Sequence, residues 1–273
     1  MNVKSPLLLC LYFFAAVLAG CHHWPSPWDG QWTLDESKSH FAAPTLTITL
    51  TPEGMYHVDD GVIDYSFRCD GNPYPTTIGS GGFFSCTQTD PTTIVLKEKA
   101  VGPNPTNIRW ELSTDGKTLT TIDRLIQIGG STKDKQLVYA RDPEVRNSDF
   151  RDSGSTGFSG RWIATRPFDF PSKTVVLILN YNAFHFEDQD WGQVSDSLID
   201  EPPTPIRGAN QRFGFSRSVR MPGLREIQTE DTCAGRVILR TTWKVSDDGR
   251  TLSEEFWVPE KPSQKNLLVY RKY

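Results

Sequence analysis

The chain has 273 residues, a formal net charge of −4, and 23% charged against 11% aromatic side chains. That balance leaves no polybasic stripe for a nucleic-acid partner, and the length suits two ordinary domains. The first predicted element lies outside any fold. Met1–Lys4 is a short charged start, Leu7–Val17 an apolar run, and Leu18-Ala-Gly-Cys21 a small-residue cleavage site. The apolar run is shorter than the roughly 18 residues that cross a bilayer, so residues 1–20 read as a signal peptide and 21–27 as a tether. Removal of Lys4 takes the net charge to −5.

Beyond the tether almost every predicted element is a strand. Thr45–Leu50, Tyr56–Val58 and Ile108–Leu112 alternate apolar and polar with period two, and Val175–Leu179 is the continuous apolar run of a more buried strand. Turn signals separate them at short intervals, among them Pro52-Glu-Gly54, Asp70-Gly71, Gly102-Pro103 and Asp115-Gly116. Ser113-Thr-Asp-Gly-Lys-Thr-Leu119 returns as Ser246-Asp-Asp-Gly-Arg-Thr-Leu252, a shift of 133 residues, with Trp110 and Trp243 upstream at the same shift. Trp28-Asp-Gly-Gln-Trp32 answers to Phe158-Ser-Gly-Arg-Trp162 at 130, and Leu137-Val-Tyr139 to Leu268-Val-Tyr270 at 131. Start, penultimate hairpin and end recur in order, so the chain is a tandem duplication. The expected domains are 28–143 and 158–273, joined by a polar linker at 144–157. Each Asp-Gly is expected to sit in a type I′ hairpin, which needs positive φ at both central positions. Many short strands joined by tight turns predict an all-β fold of two small antiparallel up-and-down barrels, with a β-sandwich as the alternative.

The Leu18–Cys21 segment resembles the lipobox of bacterial lipoproteins. The resemblance implies that Cys21 is the lipid attachment site, carrying the diacyl group (and palmitate on its new amine), and that the protein is held in the cell envelope. His22 follows the anchor where Asp would favour the inner membrane, so the outer membrane facing the periplasm is the expected location. That compartment is oxidising, and Cys69 and Cys86 bracket a Gly/Pro-rich turn region, which predicts a disulfide between them with Cys233 left over.

Gly30-x-Trp32 and Gly160-x-Trp162 on first strands, with Tyr139-Ala-Arg141 at the end of the first copy, resemble the ends of a lipocalin-type barrel. The resemblance implies a tryptophan plugging the barrel floor and a basic residue of the last strand packed across its ring. Asp70-Gly-Asn-Pro-Tyr-Pro-Thr76 resembles a turn of small bacterial lipocalin-like envelope proteins. No T-D-Y motif follows, the second copy keeps only Asp200, Pro203 and Pro205 of the turn, and Lys272 replaces Arg141.

No catalytic spacing is present: there is no G-x-S-x-G elbow, His-Glu-x-x-His pair or Walker loop, so no enzyme, no cofactor and no metal are expected. His57 with Asp59, and His185 with Glu187, share strand faces and form half of a metal site at most; the bland reading is an ordinary polar outer face. Small-molecule binding is the leading expectation, with Tyr56, Trp110, Phe184 and Trp243 as lining residues, although the same residues would serve a filled core. A non-enzymatic envelope scaffold with solid barrels is the alternative. Phe213, Phe215, Arg217 and Val219 alternate onto one face, which aims Arg217 into the second barrel. There it would fork onto the carboxylate of an anionic amphipathic ligand, unless an internal acidic partner holds it or a bulge after Gly214 returns it to solvent. At a shift of 130 the first copy offers Thr87 in its place.

Overall fold

The computed structural model describes residues 26–76, 82–99, 106–145, 157–208 and 214–273. Cys21, the signal segment, Phe213 and most of the linker lie outside the described residues. The first half contributes β1 (Gly30–Leu34), β2 (Thr45–Leu50), β3 (Tyr56–Asp59), β4 (Asp64–Phe67), β5 (Asp70–Pro75), β6 (Phe83–Asp90), β7 (Thr93–Lys99), β8 (Thr106–Leu112), β9 (Thr118–Ile126) and β10 (Thr132–Arg141). The second contributes β11 (Gly160–Ala164), β12 (Thr174–Asn180), β13 (Ala183–Asp188), β14 (Gln193–Leu198), β15 (Thr204–Pro205), β16 (Phe215–Gly223), β17 (Glu226–Cys233), β18 (Arg236–Val245), β19 (Thr251–Trp257) and β20 (Asn266–Lys272). The period-two segments became strands with one face inward. In β2 the leucines and isoleucine are buried between half-buried threonines, and in β3 Tyr56 and Val58 are buried while His57 and Asp59 are exposed.

These strands form two nearly closed, antiparallel, up-and-down barrel-like sheets of ten strands each. Their membership crosses the repeat boundary. Barrel 1 runs in the order β4-β3-β2-β11-β10-β9-β8-β7-β6-β5, and barrel 2 in the order β14-β13-β12-β1-β20-β19-β18-β17-β16-β15. The first strand of the second repeat therefore completes the first barrel, with Trp162 opposite Leu46 on one side and Arg141 on the other. The first strand of the first repeat completes the second barrel, with Trp32 opposite Val175 and Lys272. The division at 28–143 and 158–273 describes the repeats, not the barrels. Read along the chain, barrel 1 is a continuous segment inserted between β1 and the rest of barrel 2.

The barrel floors match the implied plugs with the partners exchanged. Trp32 and Trp162 are fully buried, and each indole N–H donates to the carbonyl four residues upstream, of Trp28 and Phe158 respectively. The Arg141 guanidinium lies 4.1 Å over Trp162, and the Lys272 ammonium 5.0 Å over Trp32. Arg141 also donates to the carbonyls of Gly116, Ser159 and Gly157. Gly160 has φ +150°, and a Cβ there would collide with that guanidinium.

The duplicated Asp-Gly hairpins form, but not as type I′ turns. Only Gly116 and Gly249 take positive φ, and each glycine N–H donates back to Ser113 or Ser246. The Asp115 carboxylate accepts from the Ser113 hydroxyl and the Lys117 N–H, and Asp248 repeats this with Ser246 and Arg250. Side-chain acceptors stabilise a longer loop in which a single left-handed residue suffices.

Each sheet is open along one seam, between β4 and β5 and between β14 and β15. In barrel 1 the Cys69–Cys86 disulfide ties the seam to β6. In barrel 2 the matching positions are Ile199 and Val219, which form a parallel bridge. Cys233 is buried and outside the disulfide.

Candidate functional site

The open ends of the two barrels face each other. Two crossing segments, between β1 and β2 and between β11 and β12, pass between them and carry Phe41, Phe168 and Phe170. Phe41 packs against Phe168 and Phe256 of barrel 2, with ring centres 6.3 and 6.0 Å apart, whereas Phe170 meets Tyr139 of barrel 1 edge-on at 5.6 Å. Polar contacts fix the junction. Lys133 lies 3.3 Å from Asp190, and Lys135 donates to the Phe170 carbonyl at 3.1 Å with its ammonium 4.0 Å over Trp191. The Trp191 indole N–H donates to the same carbonyl. Burial pushes the Lys135 ammonium down to about 8 against the pull of Asp188, Asp190 and Asp123.

A cavity of about 480 Å³ lies at this junction, reaching into barrel 1. Its barrel 1 wall includes Leu46, Ile63, Tyr65, Ile108, Trp110, Leu125, Leu137 and Tyr139, and its roof Phe41, Phe170, Trp191, Ile206, Phe215, Ile238 and Leu239. Thr121, Gln193 and the carboxylates of Asp60, Glu98, Asp123 and Asp231 supply the polar points; among the described residues, no Lys, Arg or His lines it. The volume falls within the range of small-molecule pockets, and apolar walls with a few fixed polar groups are their usual make-up.

Barrel 2 has the opposite character. Arg217 points inward, as the alternation predicts, and is buried. Its fork is occupied from within: Nε and Nη2 donate to the two carboxylate oxygens of Asp231 at 2.6 and 2.8 Å, Nη1 donates to Ser195 Oγ at 3.3 Å, and the guanidinium lies 4.6 Å over Phe186. The internal acidic partner is thus the outcome, and the arginine does not face an open ligand space. Burial works against the charge on Arg217, yet Asp231 holds its pKa above the ordinary arginine value. Nearby, the Tyr270 hydroxyl donates to Glu254 at 3.0 Å, and burial pushes the Glu254 carboxyl up to about 8. Asp188, bonded to Ser172, is likewise raised by burial.

Of the residues expected from the sequence to bind a ligand, Tyr56, Trp110, Phe184, Arg217 and Trp243, only Trp110 lines the cavity. Tyr56 stacks on Phe67 at 5.5 Å, Phe184 meets Trp28 edge-on at 6.4 Å, and Trp243 packs on Phe186 at 5.7 Å, so all three fill cores. His57 is exposed and bonds Ser66. His185 has both ring nitrogens engaged, with Asp196 at 2.6 Å and Glu187 at 3.1 Å. Partial burial lowers its pKa, but these bonds outweigh that and leave it raised. Among the described residues, no group of three His, Cys, Asp or Glu is arranged to hold a metal ion. Sequence reading missed the roof. Its signal was the run Arg166-Pro-Phe-Asp-Phe-Pro171, where aromatic residues stand in a segment without strand periodicity.

Comparison with protein-family models, with curated proteins and with solved structures gives no match for this chain.

Proposed function

We propose that this is a lipid-anchored envelope protein that binds or sequesters a small, largely apolar molecule, without catalysing a reaction on it. One observation carries the reading: the cavity between the barrel mouths, walled by Trp110, Tyr65 and Tyr139 and roofed by Phe41, Phe170 and Trp191. The lipobox ending at Cys21 supports the anchor and an outer-membrane, periplasm-facing position. A neutral apolar body suits the walls better than an amphipathic acid, because the charged groups on the described walls are carboxylates and the Arg217 fork is taken by Asp231.

A direct test titrates the protein with a neutral fluorescent probe, N-phenyl-1-naphthylamine, and with an anionic one, cis-parinaric acid. Saturable binding of the neutral probe, abolished by Ile108→Trp, which fills the cavity, is expected. Binding of neither probe would favour the second reading, an envelope scaffold. That reading draws on the filled interior of barrel 2, where Arg217, Asp231, Ser195 and Phe186 occupy each other.

A further inference from the structure

The two barrels are repeats of one design, so their outer ends can be compared position by position. The floor of barrel 2 is where the described chain begins. Asp29 accepts from the Leu179 N–H, the Trp28 indole donates to the Leu224 carbonyl at 3.0 Å, and the Tyr273 N–H donates to Gln31. Around this point the outer surface carries Ile178, Tyr181, Leu198, Leu224 and Tyr273, which make up five of the nine large apolar side chains exposed among the described residues. Tyr181 is 85% exposed and Leu224 84%. Strand pairing fixes the matching positions on the floor of barrel 1. Thr49 matches Ile178, Arg68 matches Leu198, Pro91 matches Leu224 and Asp142 matches Tyr273, while the turn Pro52-Glu-Gly54 stands where Tyr181 does. At these positions the floor of barrel 2 presents exposed apolar side chains and that of barrel 1 does not, on the same backbone plan, and the polar Ser246–Arg250 loop and Arg225 stand beside them.

Chain length says what these apolar side chains meet. From Cys21 to Ser26 the chain spans at most about 18 Å when fully extended. A strand such as β12, at 7 residues, is itself about 23 Å long, so the tether is too short to reach the far end of even the barrel it starts from. We propose that the floor of barrel 2, through Ile178, Tyr181, Leu198 and Leu224, rests in the interfacial layer of the phospholipid bilayer, with barrel 1 held away from it. This rests on the reading of Cys21 as the lipid anchor. Isolated exposed apolar residues need no explanation, but a group rimmed by polar ones marks a contact surface, and tyrosine suits the headgroup level.

The experiment uses the full chain in a Cys233→Ser background, with an environment-sensitive fluorophore on Leu198→Cys or Leu224→Cys, and on Glu53→Cys or Pro91→Cys as the matching sites of the other floor. Each protein is extracted from its membrane and placed in phosphatidylethanolamine/phosphatidylglycerol vesicles whose acyl chains carry bromine. Residues seated roughly 5–10 Å into the interface should lose about half or more of their emission, so quenching is expected at 198 and 224 and not at 53 and 91. Equal behaviour of all four sites would overturn the proposal. The intact mass of the same extracts reads the anchor separately. An acylated chain without selective quenching retains its anchor and loses the docked floor. A chain without acyl groups removes the anchor, and the same four labels, with vesicles added, still decide the floor.

Discussion

Arg217 and its repeat counterpart show how much one residue changes a barrel. Pairing places Arg217 opposite Asp231 on β17, and in barrel 1 it places Phe84 opposite Glu98 on β7. The structural counterpart of Arg217 is thus Phe84, not Thr87, because the two repeats differ in loop length before β6 and β16. A uniform shift of 130 lands on the exposed side of the strand, since one residue of slip exchanges the faces. Arg217→Met leaves Asp231 buried beside an apolar side chain and should cost about 3–5 kcal/mol in denaturant unfolding, whereas Arg217→Met with Asp231→Leu should recover most of it. A second expectation concerns acidity. Burial raises the Glu254 carboxyl from an ordinary 4.5 to about 8, and Asp188 moves the same way. The native state then keeps a proton that the unfolded chain releases, so stability is fully present below the ordinary value and is lost as pH rises towards about 8. Unfolding midpoints across that window should fall for the parent and fall less for Glu254→Gln.

At the scale of the element, alternation, turn chemistry and the duplicated Ser-x-Asp-Gly loops were legible, because side-chain period and turn residues act locally. Which strands pair was not. Gly-x-Trp starts a strand equally well in either barrel, and nothing local in Gly30–Leu34 names β12 and β20 as its neighbours rather than β2 and β10. Where the roof aromatics go was illegible for a related reason: Phe41 and Phe170 lie on crossing segments whose destination is a tertiary fact. The seams offer a test at this scale. Cys69 and Cys86, 17 residues apart, close a loop worth about 3 kcal/mol in the chain-entropy account. Reduction, or Cys69→Ala with Cys86→Ala, should speed hydrogen exchange in β4–β6 and leave β14–β16 unchanged, because the Ile199–Val219 bridge holds the second seam without a covalent tie.

For the whole molecule, the exchanged first strands make the barrels unequal. Barrel 1 is continuous from Thr45 to Ala164, whereas barrel 2 needs β1 as well as β12 to β20. A fragment covering 45–164 should give dispersed amide spectra and the Cys69–Cys86 bond. A fragment covering 172–273, which lacks both β1 and β11, should aggregate, since it exposes the edges of β12 and β20, and a separate peptide carrying Gly30–Leu34 should rescue it. The same arrangement sets a timetable for biogenesis. The first strand precedes its partners β12 and β20 by most of the chain, and the ion pair between Asp35 and Arg271 joins residues 236 apart in sequence. Barrel 1 has all its strands before β20 is available, while the leading strand stays unmatched, so folding from the N-terminus depends on whatever shields Trp32 until the last strand arrives.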